Sequence, residues 1–191
     1  MKRIEQATVG MSIIGVLMKL FLFEEGNTVL GLSLTFLAII YYPLGFFYFN
    51  SVPIAKIFDR KSYKEITILK GIGAFGAGVI FAILCVGVLF KLLQLPGASE
   101  MLIIGLTSGA ILSVVILFKY RINKNSRYSR KILIRSIIWL PISSLLYLAP
   151  GLTLVKIFHR NDPEYIEAYE RAAMSPSDEE LWRKADEARK R

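Results

Sequence analysis

Two lysines stand inside apolar segments of this sequence, at matching places. Lys19 sits in Gly15-Val16-Leu17-Met18-Lys19-Leu20 and Lys91 in Gly87-Val88-Leu89-Phe90-Lys91-Leu92. An ammonium group in hydrocarbon is costly, so such a lysine is a functional candidate: it can hold a carboxylate, backbone carbonyls or an anion in transit. Both lysines also fall near the ends of their segments, where a four-carbon stem lets the charge reach the headgroups and merely anchor the helix. The repetition raises the first option, because anchoring does not require the same position twice. Lys19 and Lys91 are therefore the candidate intramembrane functional residues.

Other chemistry is sparse. Cys85 is the one cysteine, so no internal disulfide forms. His159 is the one histidine and makes no metal site by itself. No metal or cofactor is expected. Gly71-Ile72-Gly73-Ala74-Phe75-Gly76 has GxGxxG spacing, but it opens an apolar segment and does not join a strand to a helix. No P-loop, HExxH or nucleophile elbow is present. Glu24, Glu25 and Glu100 fall at turns, and no acid is expected deep in a span, which argues against a proton-driven transporter. The chain reads as no enzyme.

The elements that position these residues are membrane helices. Of 191 residues 54% are hydrophobic, mean hydropathy is +0.49, and the apolar residues gather in blocks. A block of roughly 18 residues crosses about 30 Å of hydrocarbon. Spans are expected at about 7–23, 28–49, 71–93 and 101–118, with Pro53 ending the second and Pro96-Gly97 making the turn after the third. A fifth segment covers about 132–158. Pro141 and Pro150-Gly151 interrupt it; the preferred form is one kinked helix, and a span followed by an interfacial piece or a re-entrant hairpin stays open. Met1-Lys2-Arg3 resembles the start of a signal peptide, but Lys19 and the lack of a cleavage site favour a retained first span. The transmembrane domain is thus 1–160. From 161 to 191 runs a polar tail with two short helices, the first opened by Asp162-Pro163 and the second by a capping box at Ser177-Asp178-Glu179-Glu180. Trp182 either anchors at the lipid interface or packs on a partner or on the first tail helix.

The net charge of +9 lies mostly in two loops, with Lys56, Arg60, Lys61, Lys64 and Lys70 against Asp59 and Glu65, then Lys119, Arg121, Lys124, Arg127, Arg130 and Lys131. Membrane orientation explains this charge better than nucleic acid does. The N-terminus is cytoplasmic by the positive-inside rule.

An offset of 72 residues aligns the two lysines, and also Leu30 with Leu102 and Leu34-Thr35 with Leu106-Thr107. Eight of 21 positions are identical without a gap. The unit is a hairpin, at about 7–50 and again at 71–119, and both copies face the same way. Gly73, Gly78, Gly105 and Gly109 are candidate packing positions, since small residues let helix backbones approach.

The run Gly76-Ala77-Gly78-Val79-Ile80, then Gly87-Val88-Leu89-Phe90-Lys91 to Pro96-Gly97-Ala98, then Met101-Leu102-Ile103-Ile104-Gly105-Leu106 resembles the N-terminal hairpin of the GldL family, inner-membrane motor proteins of gliding motility and type IX secretion. The resemblance implies a helical hairpin that packs around a partner membrane protein in a bacterial inner membrane. It also implies a lysine and a glutamate that work together on proton-motive force. Lys91 matches the lysine. Gly109 stands at the glutamate position, and Gln94-Leu95 replaces the family's histidine, so the motor function does not carry over.

The sequence therefore indicates an all-α, polytopic bundle of about five spans, two tandem hairpins plus a kinked fifth helix and a helical tail. The expected function is a scaffold or accessory subunit whose partners are the lipid bilayer and another membrane protein or a second copy. The alternative is a small transporter or channel with Lys19 and Lys91 lining the path.

Overall fold

The computed structural model describes residues 2–64, 66–123, 126–175 and 178–188. Glu65, Lys124 and Ser177, named above in loops and a cap, lie outside the described residues. The described residues are helical without strands: α1 Lys2–Leu20, α2 Gly26–Tyr41, α3 Gly45–Phe49, α4 Ile68–Leu93, α5 Ala98–Ile122, α6 Arg127–Leu148, α7 Gly151–Phe158, α8 Pro163–Met174 and α9 Glu179–Ala188. Two short 3-10 turns, Ile54–Lys56 and Arg60–Tyr63, lie between α3 and α4.

Local chemistry sets many of these boundaries. Thr67 Oγ1 accepts from the Lys70 amide and caps α4; Ser126 does the same for α6 through Ser129. Asp162 Oδ1 accepts from Tyr165 N at 3.0 Å, with Pro163 in the first turn of α8. Asp178 Oδ1 accepts from Glu180 N and Leu181 N, so it is Asp178 that caps α9. Each cap satisfies an amide that the first helical turn leaves without a partner.

α4 is the central helix. It packs against α2, α3, α5 and α6, and it buries Ala74, Ala77, Phe81, Leu84, Cys85 and Val88 among others. α5 and α6 leave large apolar side chains outside: Ile111 is 68% exposed, Phe118 71%, Ile137 71% and Leu148 74%. Exposed apolar surface on this scale, continuous along helices, marks a surface that meets hydrocarbon. Among the described residues, α4, α5 and α6 are the helices long and apolar enough to cross a membrane. α2 is apolar but shorter, with 16 residues. α1 has the length, but Lys2, Arg3, Glu5 and Lys19 lie within it.

Two helices expected as continuous are broken. The second span does not run to Pro53: α2 stops at Tyr41, before Pro43, and α3 starts at Gly45. Proline has no N–H to give the preceding turn, and its ring clashes with that turn's carbonyl. The break lets the backbones of Gly45 and Gly78 touch; a Cβ on Gly45 would lie 2.8 Å from Gly78 Cα. The single kinked fifth helix is likewise two helices. Pro141 is tolerated inside α6, but Ala149, which precedes Pro150, is extended (ψ 121), and α7 starts anew at Gly151. A residue before proline is driven out of the α region.

The two hairpins share fine geometry at the 72-residue offset. Leu22 and Gln94 both have positive φ, 62° and 57°. Leu22 N donates to Lys19 O and Phe23 N to Met18 O; Gln94 N donates to Lys91 O and Leu95 N to Phe90 O. Both sets form a Schellman cap. A Cβ on Gly15 would strike the Leu30 backbone, and one on Gly87 would strike Leu102.

Candidate functional site

The densest polar cluster lies where α1, α2, α3 and α6 meet. Glu5, 6% exposed, is its centre. Its Oε1 accepts from Arg135 Nε at 2.7 Å and from the Tyr41 hydroxyl at 2.6 Å. Its Oε2 accepts from Arg135 Nη2 and from the Tyr48 hydroxyl, each at 2.5 Å. Arg135 Nη1 donates to the Lys131 carbonyl, Arg135 Nη2 also contacts the Tyr48 hydroxyl, and the guanidinium carbon lies 4.5 Å from the Tyr48 ring centroid. Lys131 Nζ donates to the Tyr48 carbonyl and Ser51 Oγ. Trp139 Nε1 points at the Tyr41 hydroxyl, 3.4 Å away.

Glu5, which precedes the first expected span at about 7–23, was passed over in the sequence, and the structure buries it. Glu5 sits in the first turn of α1 beside Lys2 and Arg3, where an acid reads as part of a polar terminus. The signal was there at helical spacing. Glu5, Thr8, Ser12 and Lys19 are the buried polar residues of α1, while Met11, Ile13, Ile14 and Leu17 on the same helix are exposed. Steps of three, four and seven put the polar set on one face. The chemistry of Glu5 is that of a clamp. A carboxylate has about four acceptor positions, and four donors fill them here.

Beside the clamp lies a cleft of about 640 Å³ between α1 and α6, backed by α2 and α4. Leu30, Leu34, Leu37 and Val88 line its back; Ile13, Leu17, Ile138 and Leu145 form its rims; Glu5, Tyr41, Arg135 and Trp139 close one end. At the other end α7 crosses α1.

Lys19 is at that end. It is 5% exposed; its Nζ donates to Asn27 Oδ1 at 2.7 Å and lies 4.9 Å from the centroid of Phe158 in α7. Lys91 is half-buried in the last turn of α4. The two matched positions therefore have different surroundings. Pro96 and Gly97 lie in the turn before α5, Gly97 with φ 80°. Gly73 faces the Tyr128 hydroxyl of α6, Gly78 the Tyr41 carbonyl, Gly105 the Leu84 side chain and Gly109 the Leu140 side chain of α6. Among the described residues no group of three or more His, Cys, Asp or Glu is placed to hold a metal.

Residues 72–130 match the model of the GldL N-terminal domain. The match covers most of α4, all of α5 and the first residues of α6, and leaves α1 and α2 outside. No curated protein and no solved structure matches the chain. The GldL-like hairpin is thus α4–α5, as the sequence resemblance implied. Lys91 and Gly109 lie within it. At Gly109 a Cβ would already stand 2.9 Å from Leu140 Cδ2, so a side chain there would require the Leu140 side chain of α6 to move aside.

Proposed function

We propose that the chain is a non-enzymatic scaffold or accessory subunit of a bacterial inner membrane, related to GldL-type motility and secretion proteins. The observation that carries this reading is the contact of Gly109 with Leu140: at the position of the family's glutamate, the chain's own α6 closes over the hairpin. α2 and α3 cover other faces of α4. A hairpin partly covered by its own chain suits a structural subunit better than a motor rotor. Five crossings with a cytoplasmic N-terminus complete the reading. α1 supports its own crossing by turning apolar side chains outward and polar ones inward, and α3 lengthens the path of α2. The shared caps and glycine contacts support descent of α1–α2 and α4–α5 from one duplicated hairpin.

The transporter alternative fits less well, since the Lys19 ammonium is engaged with Asn27 and Phe158. The test has two parts. Cross-linking and co-purification from native membranes should recover a defined membrane-protein partner. Liposomes with the unaltered protein should show no anion flux; flux that disappears in Lys19→Met/Lys91→Met with assembly intact would assign transport instead.

A further inference from the structure

We propose that the cleft between α1 and α6 holds one acyl chain of an anionic phospholipid, drawn sideways from the bilayer. The inference rests on the crossing of α1 stated above. Three observations lead to it. The rims, Ile13 and Leu17 on one side and Ile138 and Leu145 on the other, are exposed apolar side chains, so the mouth opens onto hydrocarbon, and hydrocarbon is what the surroundings supply. The cleft, about 640 Å³, is of a size that one flexible chain of methylenes fills. The site lies in the size range of small-molecule pockets, about 300–1,000 Å³, with an apolar wall and few polar groups at one end.

Charge selects the headgroup. The polar end of the cleft is the end where α1 and α6 begin. Their first turns carry exposed Arg3, Arg127 and Arg130, and Arg135 lines the cleft itself. Glu5 is the acid there, and it is already held by Arg135 and two tyrosines. An anionic phosphate at that end meets surplus positive charge.

Trp139 is a built-in reporter, because it lines the cleft and is 7% exposed. In a Trp182→Phe background it is the one tryptophan left. Reconstitution into phosphatidylglycerol vesicles with brominated acyl chains should quench its fluorescence several-fold relative to unbrominated vesicles. Ile138→Phe, which narrows the mouth, should remove at least half of that quenching. Ile137→Phe, one position along and outside the cleft, should leave it unchanged. Quenching that is absent, or equal in both variants, overturns the proposal. A stable dimer in detergent with Trp139 unquenched would give the cleft to a second copy. For the headgroup, unlabelled phosphatidylglycerol should displace brominated phosphatidylcholine better than the reverse; equal displacement overturns the anionic preference. Met11→Trp, in a chain with Trp139→Phe and Trp182→Phe, separates the two claims. Met11 faces outward on α1, 54% exposed. Quenching there without quenching at Trp139 sinks the cleft site alone; quenching at neither sinks the crossing of α1 as well.

Discussion

Glu5 and Arg135 join helices that otherwise hardly touch. Removing one member leaves a charge inside the bundle with no counterpart, which costs about 3–5 kcal/mol for a buried pair. Glu5→Ala and Arg135→Met should each destabilise the protein by that order in detergent unfolding, and the double variant by clearly less than the sum. Additive losses would show that the pair is no clamp. Tyr48→Phe removes one donor to the carboxylate and should cost about 1.5–3 kcal/mol. At this scale the sequence was half legible. Lys19 and Lys91 stand out because a lysine among apolar residues is conspicuous. Glu5 does not, because it neighbours Lys2 and Arg3, and its partner lies 130 residues away. No local rule connects them.

Among the helices, glycine substitutions separate packing from propensity. Nothing lies within 4 Å of a Cβ at Gly10, whereas one at Gly78 runs into the Tyr41 carbonyl. Gly10→Ala should raise stability by up to about 1 kcal/mol, and Gly78→Ala should lower it by about 1–3 kcal/mol through overpacking, both read from unfolding in detergent. The tail offers a pH test. Tyr169 packs against Trp182, with ring centroids 5.4 Å apart, and burial pushes its hydroxyl above the ordinary 10.0. The neutral phenol is therefore favoured in the folded tail. Its contribution is complete below pH 10 and is lost as pH rises through the raised value, so Trp182 fluorescence in a Trp139→Phe chain should report tail loosening only in strong alkali, and not in Tyr169→Phe. The start of α8 was legible at Asp162-Pro163, whereas the Thr67 cap was passed over and the third span was placed from about 71. The breaks were less so: Pro43 was hidden inside an apolar run, and Pro150 permitted a kink or a stop until the extended Ala149 decided it.

For the molecule as a whole, the tail's contacts set it at one end of the helix bundle. Arg160 donates to the Leu20 carbonyl and Tyr165 to Gln94, so α8 sits at the end where α1 and α4 finish, opposite the basic loops. With a cytoplasmic N-terminus, a cysteine at Ser175 in a Cys85→Ala chain should react with a membrane-impermeant maleimide added outside intact inner-membrane spheroplasts; reaction only after permeabilisation would reverse the topology. Membrane class was legible from composition, because apolar blocks need no tertiary information. That α4 is the hub was not, since helix-to-helix neighbours depend on shape: small residues of α4 admit α2 and α3, and Gly109 of α5 admits α6.

The clamp also has a history within each molecule. Arg135 follows Glu5 out of the ribosome by 130 residues, roughly ten seconds at about 5–20 residues per second. Until then the carboxylate lacks its Arg135 partner, so the tie between α1 and α6 closes only when the last third of these residues is being made.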